Sequence, residues 1–126
     1  MELINKDTPM EANDPCVVMI SAPSDHAAIE IARALLDEGL AACCSVVPYI
    51  RSVYKWQGQI HDEPESLVFC KTVYAHFTQV EARVRALHSY QVPEILMLPV
   101  ADTSAPYLAW LLDTCGVAKT AAAPAA

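Results

Sequence analysis

The chain has 126 residues, 54% of them hydrophobic, and its 15 acidic against 8 basic residues give a net charge of −7. This length and composition predict one folded domain and exclude an intrinsically disordered chain. The negative charge also disfavours nucleic acid and anionic membranes as partners, whereas metal cations and cationic ligands match its sign.

Five cysteines occur at spacings that form no Cys-x-x-Cys pair: Cys16, Cys43, Cys44, Cys70 and Cys115. An odd number cannot be fully paired within one chain, and their largely apolar surroundings favour buried thiols in a reducing compartment. No stretch has the length of a membrane span or the pattern of a signal peptide. We therefore predict a cytoplasmic protein without a membrane partner.

Residues 1–15 are polar and aperiodic, which predicts a flexible leader before a domain at residues 16–116. The domain begins with a continuous apolar run at residues 16–20, typical of a strand covered on both faces. Ser24 is a good helix N-cap, and Gly39 suits the left-handed residue that follows a helix. The residues between them that repeat at helical spacing are Ala28, Ile31, Ala32, Leu35 and Leu36. This pattern predicts an amphipathic helix.

Residues 46–73 form the most distinctive stretch, in which two β-branched and aromatic arms flank a turn at residues 57–59. With a bend expected at Pro48, they predict a β-hairpin whose arms exceed the ordinary strand length of about 5–6 residues. Such a hairpin overhangs a small domain and exposes Tyr54 and Trp56 near its tip. Because an exposed strand of this kind aggregates unless it is covered, we predict that the protein associates with copies of itself.

The segment after the hairpin predicts a helix at residues 76–88, for which Thr78 and Glu81 form a candidate capping box. A strand at residues 94–98 follows this helix. Pro99 cannot donate a hydrogen bond to a neighbouring strand, so we expect this strand at an edge of the sheet.

A third helix is predicted after Ser104 and ends at Gly116, since Pro106 suits its first turn. Its buried stripe comprises Leu108, Leu111, Leu112 and Cys115. Residues 117–126 have low complexity, which predicts a disordered tail. The order β-α-β-β-α-β with an added C-terminal helix predicts an α+β fold, the ferredoxin-like sandwich, with its first and third strands central.

The candidate chemistry leaves several alternatives open. The acidic segment at residues 61–65 contains one histidine and three carboxylates, which fit either a metal-binding loop or a solvated turn. His88 ends the second helix, where a protonated imidazole interacts favourably with the helix dipole. No cysteine has the sequence signature of a catalytic nucleophile.

Four further residues are candidates for ligand binding. Lys71 lies at the end of the third strand, and Tyr90 and Glu94 follow the second helix. Lys71 and Glu94 fit a buried salt bridge. Alternatively, they line a small polar cleft between subunits together with Tyr90 and Trp56.

Motifs from residue 17 to residue 112 occur in the order and spacing of one known family: Ala22-Pro23, Leu40-Ala41-Ala42-Cys43, Tyr54-Lys55-Trp56-Gln57-Gly58, Lys71-Thr72, Tyr90-Gln91-Val92-Pro93-Glu94, Leu98-Pro99-Val100 and Tyr107-Leu108-Ala109-Trp110. On these residues the chain resembles the CutA divalent-cation tolerance proteins. The resemblance implies a ferredoxin-like protomer and a compact homotrimer in which the hairpins extend each sheet across subunits. It also implies kinship in architecture with the trimeric PII signalling proteins.

For function, the resemblance implies only general properties. Family members are linked to tolerance of copper and other divalent ions, some bind copper(II), and animal relatives are linked to acetylcholinesterase anchoring. No enzymatic reaction is established for the family. The copper ligands proposed in some bacterial members correspond to Ile20, Leu87 and His88, of which only His88 has a metal-binding side chain.

We therefore predict a non-enzymatic, PII-like homotrimer that responds to divalent metal ions, requires no cofactor and binds copper(II) or a similar ion weakly at His88. Its predicted ligand-binding residues are Lys71, Tyr90, Glu94 and Trp56. A trimeric scaffold for an unidentified protein partner is the first alternative. A small-substrate enzyme that uses Lys71 and Glu94 as an acid–base pair is the second.

Overall fold

The computed structural model describes residues 9–118. Its elements are β1 (Pro15–Ala22), α1 (Asp25–Asp37), β2 (Cys43–Trp56), β3 (Gln59–Val73), a 3-10 turn (Tyr74–His76), α2 (Phe77–Leu87), β4 (Ile95–Pro99) and α3 (Ala105–Cys115). This order confirms the predicted α+β fold, a ferredoxin-like βαββαβ arrangement with an extra C-terminal helix. Within residues 9–118, no helix is long and apolar enough to cross a membrane.

The four strands form one antiparallel sheet in the order β2-β3-β1-β4, so β1 and β3 are central as predicted. Side chains alternate between the two faces of each strand. On the inner face, Val18 and Ile20 of β1 pair in register with Cys70 and Val68 of β3, and all four are fully buried. They pack in the main core with residues of α1 and α2. Helices α1 and α2 therefore cover one face of the sheet.

Helix α1 forms as its sequence predicts. Ser24 caps it, since its hydroxyl accepts a hydrogen bond from the backbone N–H of Ala27 at 3.1 Å. Its buried residues are Ala28, Ile31, Ala32 and Leu35. Leu36 is 40% exposed and lies outside the buried stripe. After the helix, Gly39 has a φ of 72°, a conformation that glycine adopts without steric cost.

The predicted long hairpin is present, with 14 residues in β2 and 15 in β3. The register of the two strands shifts between Val47 and Ile50, which confirms the irregularity expected at Pro48. The acidic segment at residues 61–65 lies within β3, paired to residues 50–54 of β2. Its interpretation as a loop or turn was therefore wrong, because paired backbone continues through it to the tip of the hairpin.

The start of α2 also differs from its prediction. The chain passes from β3 into the 3-10 turn, and α2 begins at Phe77 without a side-chain cap. Thr78 is therefore already inside the first turn, and the predicted capping box with Glu81 was wrong. Strand β4 is at an edge of the sheet, as Pro99 predicted.

Helix α3 packs at the end of the sheet beside a second, smaller core. Its Leu111 and Cys115 are buried against Ala42 and Val73. Ser104 caps this helix by accepting a hydrogen bond from the N–H of Tyr107 at 3.4 Å. The small core fixes α3 against β3.

The predicted leader and tail fall partly on residues 1–8 and 119–126, which lie outside the described residues. The described part of the leader is bound to the domain, since the carbonyl of Asp14 accepts a hydrogen bond from the N–H of Tyr74 at 2.9 Å. Asn13 exchanges two hydrogen bonds with the backbone of Val117, at 2.8 and 2.9 Å. Hydrogen bonds thus connect the segments next to the two predicted domain boundaries, at residues 16 and 116.

Candidate functional site

A cleft of about 790 Å³ lies between the overhanging part of the hairpin and the segment that joins α2 to β4. This volume is within the range of about 300–1,000 Å³ that is typical of small-molecule sites. The aromatic and acidic side chains that line it are Tyr54, Trp56, Glu65, Tyr90 and Glu94. Three of the four predicted ligand-binding residues, Trp56, Tyr90 and Glu94, therefore lie at one site.

The strand period explains why the hairpin contributes these side chains. Tyr54 and Trp56 are two residues apart on β2 and therefore share one face. Tyr54 pairs in register with His61 of β3, and their rings are stacked with centroids 5.2 Å apart. Glu65 is four residues beyond His61 and lies on the same face as His61. The overhang therefore presents aromatic rings and a carboxylate to the cleft.

Glu65 and Tyr90 connect the two walls of the cleft. The phenolic O–H of Tyr90 donates a hydrogen bond to Oε2 of Glu65 at 2.7 Å. Glu65 is only 7% exposed, whereas most carboxylates lie in solvent. Burial and this hydrogen bond raise the pKa of Tyr90 above its ordinary value. The tyrosine is therefore held as a neutral hydrogen-bond donor to the buried carboxylate.

His88 fixes the segment that carries Tyr90. Its Nδ1 accepts a hydrogen bond from the backbone N–H of Tyr90 at 3.1 Å, and its Nε2 is 2.6 Å from the carbonyl oxygen of Ser21. Because Nδ1 accepts, the proton lies on Nε2 and is donated to Ser21. Both ring nitrogens are thus engaged, and a metal ion at His88 would have to displace one of these bonds.

Lys71 lies away from the other three predicted residues. It lines a separate cavity of about 240 Å³ beside Tyr107 of α3, and its Nζ donates to Ser45 and lies 3.8 Å from Sγ of Cys43. Lys71 pairs in register with Val17, near the start of β1, whereas Ile95, which follows Glu94, pairs with Ile20. Within one protomer, the predicted ion pair of Lys71 with Glu94 therefore does not form.

Residues 9–118 contain no group of three or more His, Cys, Asp or Glu side chains that could hold a metal ion. In the acidic segment, Nδ1 of His61 is 3.7 Å from Oε1 of Glu63, while Asp62 pairs with Arg51 at 2.7 Å. Alternation along β3 directs neighbouring side chains of this segment to opposite faces. Asp62 therefore lies on the face opposite His61, Glu63 and Glu65, so the four candidate ligands do not all converge.

Two residues of the site were missed by sequence reasoning. Ser21 acts only through its backbone carbonyl, for which no side-chain signal exists. Glu65 was identified only as one of three carboxylates in the acidic segment. Its position beside the apolar end of β3, before Ser66 and Leu67, was the available signal that it differs from Asp62 and Glu63.

Comparisons with known proteins agree with this architecture. The sequence model of the family described as "CutA1 divalent ion tolerance protein" matches residues 16–114. The chain is similar to the divalent-cation tolerance protein CutA of Thermus thermophilus, with 45% identity over 100 residues that cover 79% of this chain and 97% of that protein. A solved structure of the divalent cation tolerance protein from Thermus thermophilus superimposes with a TM-score of 0.78 at 44% identity, covering 81% and 99% of the two chains.

A more distant relative is the CutA homolog of Xenopus laevis, which is 37% identical over 94 residues. The match covers 75% of this chain but only 62% of the Xenopus protein. The similarity therefore spans nearly the whole bacterial protein and one part of the longer vertebrate protein.

Proposed function

Because the chain belongs to the CutA1 divalent ion tolerance family, we propose that it is a homotrimeric, PII-like binding and regulatory protein in divalent-metal homeostasis. In this proposal it binds copper(II) or a similar ion weakly, signals through a protein partner, and catalyses no reaction. The protein acts in the cytoplasm.

The observation that carries the proposal is the apolar outer face of the sheet. The face opposite α1 and α2 includes Leu96 and Leu98 of β4 and Val47 of β2, which are 53%, 44% and 40% exposed. The overhanging hairpin also exposes Val53 and Ile60, at 64% and 73%, on its other face. Exposed apolar residues on the sheet and on an overhanging edge favour association with further copies of the same chain.

Metal binding is proposed as weak because of the donors that are available. His88 has both ring nitrogens in hydrogen bonds, so a copper ion that binds there gains one ligand and breaks one existing interaction. Tight metal sites use three or four convergent ligands. The net charge of −7 nevertheless favours cations near the surface.

The test has two parts, made on the same reduced protein. Light scattering after size-exclusion chromatography measures the molar mass, which we expect to be three times the protomer mass of 13.7 kDa. Calorimetric titration of copper(II) compares the wild type with His88→Ala and with the exposed-site control His26→Ala. A monodisperse monomer contradicts the regulatory trimer. If His26→Ala weakens copper binding as much as His88→Ala does, the assignment of the copper site to His88 is wrong.

One observation favours the alternative of a scaffold for a protein partner. Tyr107 and Trp110 of α3 are 41% and 45% exposed, with their ring centroids 5.6 Å apart. Exposed aromatic pairs are frequent at protein–protein contacts. A partner that is captured by the wild type and lost with Trp110→Ser, while the copper titration is flat, would favour the scaffold.

A further inference from the structure

The carboxylate of Glu65 has an unusual environment. It is 7% exposed and lines the cleft, and the hydrogen bond from Tyr90 engages only one of its two oxygens. A buried carboxylate is strongly disfavoured unless it is paired with a positive charge or bound to several donors. One neutral donor does not replace the water that an ionised carboxylate loses on burial.

The described residues provide no positive partner for Glu65. The contacts between basic and acidic side chains within residues 9–118 are Arg51–Asp62, His61–Glu63, Arg83–Glu38 and Arg85–Glu81. Arg51 reaches the cleft, but its guanidinium is bound by both carboxylate oxygens of Asp62 at 2.7 and 2.8 Å. The charge of Glu65 is therefore uncompensated within the described part of the protomer.

The other side chains that line the cleft, like the carboxylate of Glu65, favour a positively charged ligand. Tyr54, Trp56 and Tyr90 line it, and aromatic faces attract ammonium and guanidinium groups at a distance of up to about 6 Å. The exposed carboxylate of Glu94 adds negative charge at its rim. A divalent metal ion is a poor match, since the described residues contain no cluster of three metal-binding side chains.

We propose that the cleft binds a small organic cation, whose ammonium or guanidinium group pairs with Glu65 and packs against the rings of Trp56, Tyr54 and Tyr90. This inference rests on the proposed regulatory function and deepens it, because it names the chemical class of a ligand. Ligand binding would join the hairpin to the segment at residues 88–94, the two walls of the cleft.

The fluorescence of Trp56 provides a direct test. The chain has two tryptophans, and Trp110 lies on α3 outside the cleft, so Trp110→Phe leaves Trp56 as the only indole. This protein is titrated with phenethylamine hydrochloride and choline chloride, and with the neutral 2-phenylethanol as a matched control. Because ligands of this size bind in the micromolar to millimolar range, the titration extends to about 10 mM.

We expect a saturable change in fluorescence with at least one of the two cations and no saturable change with the alcohol. Glu65→Gln removes the charge and keeps an acceptor for Tyr90, so it should weaken binding at least tenfold, whereas Glu30→Gln on the exposed face of α1 should leave it unchanged. The proposal is overturned if neither cation gives a saturable change or if the alcohol binds as well as the amine. It is also overturned if the Glu65→Gln variant binds the cations as tightly as the protein with Glu65. The comparison of amine with alcohol is decisive even if the variant does not fold.

A basic side chain of a neighbouring copy is the competing occupant of the cleft. In that case the cations do not bind and Glu65→Gln lowers the molar mass, which overturns the proposal. The molar mass and the copper titration are measured on the same preparations. If these behave as expected while the cations fail, the ligand class is wrong and the proposed function stands.

Discussion

Tyr90 donates a hydrogen bond to Glu65 at 2.7 Å, across a sequence separation of 25 residues. Glu65 lies at the point where β3 leaves the body of the sheet for the overhanging hairpin, and Tyr90 lies in the segment between α2 and β4. His88 holds this segment from the other side through the carbonyl of Ser21. A chain of polar contacts thus links the hairpin, the cleft and the end of β1.

Tyr90→Phe tests how much the hydrogen bond between Tyr90 and Glu65 contributes to the free energy of unfolding. The variant keeps the ring and leaves the buried carboxylate without its donor, so we expect the free energy of unfolding to fall by about 1–3 kcal/mol. Urea unfolding at a fixed protein concentration measures the change. Tyr74→Phe, at a tyrosine 40% exposed outside the cleft, is the matched control and should have little effect. An equal effect of the two variants would contradict a special role for the bond.

The same bond predicts a pH dependence at the alkaline end. Burial and the bond to Glu65 raise the pKa of Tyr90 in the folded protein, whereas in the unfolded chain it is about 10. The resulting stabilisation is complete below about pH 10 and is lost as the pH rises towards the pKa of Tyr90 in the folded protein. The difference in stability between the wild type and Tyr90→Phe should therefore shrink above about pH 10. A difference that grows there in pH-jump unfolding experiments would contradict the assignment.

The fold could be predicted because its signals are local. The apolar run of β1, the cap at Ser24 and the spacing of the buried residues of α1 each specify one element. Prolines marked the irregularity in β2 and the edge position of β4. The acidic segment was misread because charged residues favour loops by composition, whereas here cross-strand pairs with β2, including Arg51 with Asp62, keep it in a strand.

The apolar outer face predicts how the proposed trimer can be disrupted. Leu96 of β4 is 53% exposed on this face, and a lysine there would place a charge inside an interface between copies. We expect Leu96→Lys to reduce the molar mass from three protomers to one. Ile29→Lys, at a residue 46% exposed on α1, should leave the molar mass unchanged. Light scattering distinguishes the two, and a trimer that survives Leu96→Lys would place the interface elsewhere.

The thiols should react in an order set by their environment. Cys44 and Cys70 pair in register on adjacent strands, and the contact between their thiols lowers the pKa of Cys44 and raises that of Cys70. Burial raises the pKa of Cys16 to about 11. Iodoacetamide at about pH 8 should therefore modify Cys44 before Cys70 and Cys16, since the thiolate is the reactive form. Peptide mass spectrometry gives the order, and all cysteines should react alike in denaturant. Faster reaction at Cys70 than at Cys44 would contradict these directions of the two pKa shifts.

The candidate site was less predictable than the fold because its contacts are made between distant segments. Trp56, Tyr90 and Glu94 were identified, and the structure brings them to one cleft. Lys71 was grouped with them in a cleft between subunits, but within one protomer the register of β1 with its two neighbours separates it from Glu94. Such a register depends on the whole sheet, so no local pattern around Lys71 could reveal it.

The tip of the hairpin offers a prediction about backbone strain. Gln57 and Gly58 have φ angles of 52° and 78°, the left-handed pair of a type I′ turn, for which Asn-Gly is the favoured sequence. A Cβ at Gly58 would meet nothing within 4 Å, so Gly58→Ala should destabilise the protein by about 1–2 kcal/mol through backbone conformation alone. Gln57→Asn should instead stabilise it, because asparagine tolerates this conformation better. Gln59→Asn, at the first residue of β3, is the control that changes the same side chain outside the turn. Urea unfolding at one protein concentration gives the three values, and stabilisation by Gln59→Asn equal to that by Gln57→Asn would show that the turn conformation is not the cause.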